Sequence, residues 1–234
     1  MTNKFDYIVV GVGSAGCAVA NRLSENDTNK VLLIEAGRSS HPISRLPASF
    51  ALLIDNPLAK WRYRSEPEEN TGNREIPIPR GKLLGGSSSI NGLVFVRGNK
   101  LDYDTWAQMG NTGWSYDDVL PFFKKMENYQ GNTSELRGEE GPLKVSEVSD
   151  RNPIYDAIFK SGEVNNIPFN KDYNGKDQEG LGYTQTTIYK GERMSAEVAY
   201  LRPIKSRKNL TIITNSLVTK LLFEKKKCIG VEVK

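Results

Sequence analysis

Histidine and cysteine are scarce in this chain: there is one histidine, His41, and there are two cysteines, Cys17 and Cys228. No C-x-x-C spacing occurs, and both thiols are expected to be free and buried, as suits a reducing compartment. The sequons at Asn132 and Asn209 then carry no meaning. His41 falls in a loop-like stretch and is expected to be solvated rather than catalytic. No serine has glycines two residues to either side, so there is no nucleophile elbow, and no His–acid arrangement accompanies any serine. A hydrolase is excluded on those grounds. No apolar run is long enough to span a membrane. Lys4, an apolar run and Ala18-Val19-Ala20 imitate a secretory leader. Asp6 opposes that reading, because it stands where a leader should be positive. Cleavage after Ala20 would also remove a glycine-rich loop, so the chain is expected to be cytoplasmic. Net charge is only +4, and Lys225-Lys226-Lys227 is the sole basic run. It lies between two strand-like segments and is expected to be a hairpin tip, not a nucleic-acid patch.

The apolar fraction of 38% over 234 residues supports a core and one large domain or somewhat more. The most informative stretch is Phe5 to Gly37. Tyr7-Ile8-Val9-Val10 is too short for a helix and rich in β-branched residues, which predicts a buried parallel strand. Gly11-Val12-Gly13-Ser14-Ala15-Gly16 follows as G-x-G-x-x-G and opens a helix with small residues at Cys17, Ala18 and Ala20. A second buried strand, Val31 to Ile34, delivers Glu35 and Ala36. In this pattern Gly11 permits the tight turn, Gly13 lets the backbone approach a pyrophosphate, and Gly16 lets the helix sit close to the strand. The helix N-terminus offers amide donors and a positive dipole end to phosphates. Glu35 can accept hydrogen bonds from both ribose hydroxyls and would repel a 2′-phosphate, which disfavours NADP. Strand, glycines, helix, strand and acid in this order predict dinucleotide binding in a Rossmann-like α/β fold.

A second glycine-rich stretch runs from Arg80 to Asp104. Gly81, Gly85 and Gly86 bracket Leu83-Leu84, and Ser87-Ser88-Ser89 precede Ile90-Asn91-Gly92. Paired glycines with hydroxyls make another loop rich in free backbone amides. A nicotinamide enzyme needs one phosphate cradle, whereas two suggest a longer ligand held at both ends, and FAD fits. An ordinary NAD-dependent Rossmann dehydrogenase is the alternative.

On these residues the chain resembles the glucose–methanol–choline (GMC) family of FAD-dependent oxidoreductases, near its choline- and alcohol-dehydrogenase-like members. The family's first signature is matched by Gly81 to Asn91, then Phe95, Gly98 and Asp104. Trp61 with Glu66-Pro67, Gly113 to Tyr116, Leu120 to Phe123, and Ser195 to Leu201 also look like family landmarks. The resemblance implies that Gly11, Gly13, Ser14, Ala15 and Gly16 hold the FAD pyrophosphate, with Glu35 and Ala36 at the adenosine end. It implies that Leu83, Gly86 and Ser87 pass the flavin and phosphates, and that Asn91, Gly92, Leu93 and Val94 lie beside the isoalloxazine. Val218 would contact the adenine through its main chain. Some family members attach FAD through a histidine that corresponds to Ile90 here, so non-covalent FAD is expected. The implied activity is oxidation of a small-molecule alcohol to the aldehyde or ketone by hydride transfer to the flavin, with an unspecified electron acceptor. Family chains continue well past Lys234 and carry there the histidine that takes the hydroxyl proton. The chain is thus expected to be a C-terminally truncated, N-terminal part with no catalytic residue of its own, and the other reading is a non-catalytic FAD-binding fragment.

Residues 1–150 are expected to form the FAD-binding domain, 151–190 the start of an α+β substrate domain, and 191–234 a return to the first domain. Within these, Glu66 to Arg80 is expected to be an extended surface excursion. Ser115 with Asp118 should cap a helix over 116–126, kinked or restarted by Pro121, and Gln130 to Glu140 should be a mobile loop. Leu143 to Val145 should form a short strand. Asn152-Pro153 should open a helix whose Ile154, Ala157 and Ile158 pack in the core. Ser195 should cap a short helix ending before Pro203. Leu210–Ile213, Leu217–Phe223 and Cys228–Val233 read as a three-stranded meander.

Overall fold

The structure is a computed structural model that describes residues 4–234. In chain order the first elements are β1 (Tyr7–Val10), α1 (Ser14–Leu23), β2 (Val31–Ile34), α2 (Phe50–Leu53), β3 (Lys60–Arg64) and β4 (Pro77–Gly81). Next come α3 (Lys100–Gln108), α4 (Tyr116–Met126), β5 (Glu127–Tyr129), β6 (Leu143–Glu147), α5 (Pro153–Val164), β7 (Gln185–Thr186) and β8 (Ile188–Tyr189). The last are β9 (Glu192–Arg193), β10 (Leu210–Ile213), β11 (Val218–Glu224) and β12 (Lys227–Val233). Two compact units divide the chain: one ends at Gly92 and resumes over Lys190–Lys234, and the other is Leu93–Tyr189.

The first unit is built on a parallel sheet in the order β1-β2-β10. Each strand is four residues of mostly branched apolar side chains, the composition a parallel sheet takes. β2 is central, and its Val31, Leu33 and Ile34 are sealed from solvent. The fully buried β1 expected from sequence is not what forms: Tyr7 is 44% and Val10 50% exposed. β1 pairs with β2 alone among the described strands, so its other edge is open. The meander is also corrected. β10 leaves its neighbours in sequence and joins β2 in parallel, while β11 and β12 form a separate antiparallel hairpin. Strand separation in sequence does not reveal such a pairing, because Leu-Thr-Ile-Ile suits either sheet. The hairpin turns at Lys225-Lys226, with Lys225 at φ 53°, as the basic run suggested.

The excursion over 66–80 is only partly a loop. Pro77–Gly81 pairs with Lys60–Arg64 as a two-stranded ribbon, where a proline in an edge strand loses no ladder bond it needs. Helix α1 is tied to the segment beyond it in sequence by 180 residues: Asn21 Nδ2 donates to the Tyr200 carbonyl at 2.7 Å, and Arg207 donates to the Asn21 carbonyl at 2.7 Å and to Ser24 Oγ at 2.8 Å. Residues 197–201 form a π-helical turn followed by a 3₁₀ turn over 202–204, and Ser195 Oγ accepts from Val198 N at 3.3 Å.

In the second unit β5 runs parallel and β7 antiparallel to β6. Ser115 and Asp118 close the expected capping box on α4, which continues through Pro121 unbroken. The stretch 130–140 is a loop, but it is anchored by Arg137, which is 2% exposed. Arg137 Nε donates to Glu127 Oε1 at 2.6 Å and its Nη1 to Asp172 Oδ1 at 2.6 Å, while Arg97 Nη2 donates to Glu127 Oε2 at 2.6 Å. Asn152 caps α5 through Ile154 N. The face predicted to pack is, however, the wrong one: Ile154 is 60% and Ile158 45% exposed. Tyr155 and Phe159 turn inward instead, meeting Tyr183 and Phe169 edge to face. Aromatic burial removes more apolar area than the two isoleucines would, and that decides which face wins. Among the described residues no helix is long and apolar enough to cross a membrane.

Glu127 is sealed between two guanidinium groups, so Glu127→Gln leaves Arg97 without a carboxylate and Arg137 with Asp172 alone in a low-dielectric interior. The expected loss is about 3–5 kcal/mol of unfolding free energy, read by urea denaturation.

Candidate functional site: a cavity between two glycine loops

The sequence places a glycine loop after β1 and a second one after β4, and the structure brings them into contact. Gly85 N donates to the Val12 carbonyl at 2.8 Å, joining one loop to the other. A Cβ built on Gly86 would meet Gly13 Cα at 2.6 Å, and Gly86 holds a left-handed φ of 53°. Both facts require glycine there. Gly16 is equally constrained, since a Cβ would strike the Gly11 carbonyl oxygen. Gly13 differs: no protein atom lies within 4 Å of where its Cβ would be. The fold does not demand glycine at residue 13, and the open space belongs to the cavity beside it.

That cavity measures about 400 Å³ and is lined by residues from the first unit alone. Gly11, Gly13, Ser14, Glu35, Ala36, Gly86, Ser87 and Val218 lie on its wall. Its N-terminal rim is the start of α1, where Gly13 provides no side-chain cap. The first-turn amides of a helix have no intrahelical acceptor, so they offer donors and partial positive charge at this wall. Ala15 and Gly16 sit in that same turn without lining the cavity.

Glu35 is 5% exposed and fastens the first loop as well as facing the cavity. Its Oε2 accepts from Val12 N at 2.9 Å and its Oε1 from Gly37 N at 2.8 Å. Each carboxylate oxygen has further lone-pair capacity, so a hydroxyl can still be received. On the opposite rim Ser216 N donates to the Glu35 carbonyl at 2.9 Å, which sets Val218 at the cavity edge. Ser87 Oγ accepts from Gly81 N at 3.1 Å and holds the second loop against β4.

Other predicted positions fall elsewhere. Leu83 is 1% exposed, packed with Leu53, Ala59 and Ile90, and contributes no wall to the cavity. Asn91 and Gly92 belong to the first unit but are off the wall, and Leu93 and Val94 belong to the second unit. Leu93 holds a φ of 68°, which is costly for a non-glycine residue. His41 is half-buried with Nε2 3.3 Å from Asn56 Nδ2, away from the cavity. Cys17 is fully buried, its Sγ 3.5 Å from the Val12 carbonyl; burial pushes the thiol up to about 12, so it stays protonated and serves the loop rather than any chemistry. Among the described residues no group of three or more His, Cys, Asp or Glu is placed to hold a metal.

Trp61, Tyr63 and Arg80 are among the wall residues that sequence reasoning missed. Trp61 and Tyr63 stack with centroids 5.8 Å apart, and Arg80 lies on the paired strand. The Trp-x-Tyr spacing puts both rings on one face of a strand, a signal available from the two-residue period. The Lys82 ammonium sits 4.4 Å from the Trp61 ring centroid. Arg193 was missed too, and nothing local to Gly191-Glu192-Arg193 marks it.

A family model described as GMC oxidoreductase matches residues 5–234. An oxygen-dependent choline dehydrogenase of Rhizobium etli (strain CIAT 652) is 44% identical over 229 residues, covering 97% of this chain and 42% of that protein. One from Brucella suis biovar 1 (strain 1330) is 43% identical with the same coverage. The chain therefore spans about 42% of the length of the curated relatives it matches. Among solved structures, pyridoxine 4-oxidase from Mesorbium loti superposes with a TM-score of 0.92 at 33% identity, covering 98% of this chain and 46% of that one. Formate oxidase of Aspergillus oryzae RIB40 gives 0.88 at 29% identity, over 98% and 42%. The chain belongs to the GMC oxidoreductase family and carries the α/β fold of that family's FAD-binding part.

Proposed function

We propose that this chain holds FAD non-covalently in the cavity between its two glycine loops, as part of a protein that oxidises a small alcohol. The observation that carries the reading is Gly13: a glycine with open space where a Cβ would stand, on a wall shared with Gly86. A ligand that approaches the backbone closely accounts for it; the protein's own packing does not. Two loops in contact also favour a ligand longer than the single phosphate cradle of a nicotinamide enzyme would hold.

In this reading the first-turn amides of α1 bind the pyrophosphate, with Gly13 allowing the approach. Glu35 accepts from the ribose hydroxyls while it keeps its bonds to Val12 and Gly37. The Val218 main chain meets the adenine. Gly86 and Ser87 carry the chain from the phosphates toward the flavin, and Asn91 and Gly92 lie beside the ring. Trp61 and Tyr63 shield the cavity from water. Bound FAD supplies the electron sink that alcohol oxidation requires. The hydroxyl proton needs a base, and no residue on this wall is suited to it. That role is assigned to the length of the relatives that the chain does not span. The first compact unit is then the cofactor-binding part, and the substrate-facing part begins in the second. A primary alcohol is the proposed substrate class, in keeping with relatives named for choline. A second reading, a segment that binds FAD without turnover, applies to these 234 residues taken alone, because Glu35, the one carboxylate among the described wall residues, is committed to Val12 and Gly37.

Two measurements test the assignment. Gly13→Ala is expected to keep stability within about 1 kcal/mol while abolishing flavin binding, whereas Gly86→Ala should destabilise by about 1–3 kcal/mol through its clash and its positive φ. Equal losses of stability in both would remove the reason for a ligand at Gly13. Acid precipitation of the full-length yellow protein should leave the flavin in the supernatant, since Ile90 is buried and has no nitrogen to bond it. Colour retained in the pellet would contradict the non-covalent assignment.

A further inference from the structure

Arg193 is 1% exposed and the first in size among the side chains sealed from solvent. Its bonds go to neutral oxygens: Nε donates to the Ser44 carbonyl at 3.0 Å, and Nη1 to the Ser88 carbonyl at 3.3 Å, the Asn91 carbonyl at 2.8 Å and Asn91 Oδ1 at 2.8 Å. Burial pushes its pKa down to about 10, so the side chain stays charged at neutral pH. Burying a cation costs several kcal/mol unless its donors are well placed. Here Nη1 meets the exit of the serine turn, Nε meets Ser44, and Nη2 has no protein partner among the described residues. That turn is a 3₁₀ segment, Gly86–Ser89, whose last carbonyls have no partner within it. Asn91 N donates back to the Ser87 carbonyl at 2.9 Å, and Ser88 Oγ accepts from Ala196 N at 2.9 Å. The chain from 193 to 196 thus clamps the four residues that follow the cavity wall. A guanidinium only donates, so the amide of Asn91 must present its oxygen to it; the orientation is forced by chemistry.

We propose that Arg193 is a positioning residue for the second glycine loop: it sets the backbone of Ser88 to Asn91, and through it the flavin end of the bound cofactor. The proposal rests on the FAD reading above. It does not follow from the family match, from the glycine pattern or from the cavity lining, since Arg193 is not on the wall. Lysine cannot reproduce the role, because one ammonium cannot span the Ser44 and Asn91 carbonyls as the planar fork does.

The test uses the full-length flavoprotein with Arg193→Lys, Asn91→Ala and the double variant. Arg193→Lys should retain flavin through the first loop yet shift its visible absorption bands and lower kcat about tenfold or more, with KM within about threefold. Asn91→Ala, on an exposed residue, should shift the bands in the same direction by a smaller amount. The double variant should be no worse than Arg193→Lys, since Asn91→Ala removes a contact that Arg193→Lys already loses. A parent-like spectrum and kcat in Arg193→Lys, or strictly additive effects in the double variant, would overturn the proposal. Should Arg193→Lys fail to fold, Asn91→Ala decides: an unshifted spectrum there overturns it. A colourless parent protein that takes up no added flavin would instead overturn the FAD reading on which it stands.

Discussion

Everything at the candidate site depends on backbone meeting backbone without side chains between. Gly86 stands against Gly13, and the Gly85 amide bonds the Val12 carbonyl. No residue with a Cβ fits at Gly86, and its left-handed φ removes the remaining freedom. The contact fuses a loop at residue 11 with a loop at residue 85 into a single wall. Because that wall is main chain, it presents amide donors, and the positive end of α1 adds to them.

Buried charge then holds the wall in place. Glu35 spends both carboxylate oxygens on amides of its own neighbourhood, at Val12 and Gly37, and still faces the cavity. Arg193 performs the matching task on the second loop, with donors on Ser88 and Asn91. The second unit has the same device within itself, where Glu127 is set between Arg97 and Arg137. In each case several bonds hold a charge taken from water, although Arg97, Arg137 and Arg193 each keep one nitrogen without a protein partner among the described residues. Such groups add little net stability but admit few alternative arrangements.

Local signals were legible because their causes are local. The turn at Gly11, the helix over Ser14–Leu23, the capping box at Ser115 and Asp118 and the Asn152 cap each depend on atoms within four residues. The errors share the opposite property. Whether β10 joins β2 or β11 turns on which sheet has an unpaired edge. Which face of α5 is buried turns on Phe169 and Tyr183, residues past the helix end. That the loop after Tyr129 is anchored turns on Glu127 and Asp172 waiting for Arg137.

By itself, then, the sequence determined the βαβ unit, the two glycine-rich turns and the acid at the end of β2, since these follow from strand composition, φ preference and helix-end chemistry over short spans. Only the tertiary structure decided that the two loops touch, that Gly13 faces open space while Gly16 and Gly86 are sterically required, and that Arg193 reaches Asn91 from 102 residues away. Contacts of that separation are selected by the collective burial of the sheet and its neighbours, and no window of sequence contains both partners.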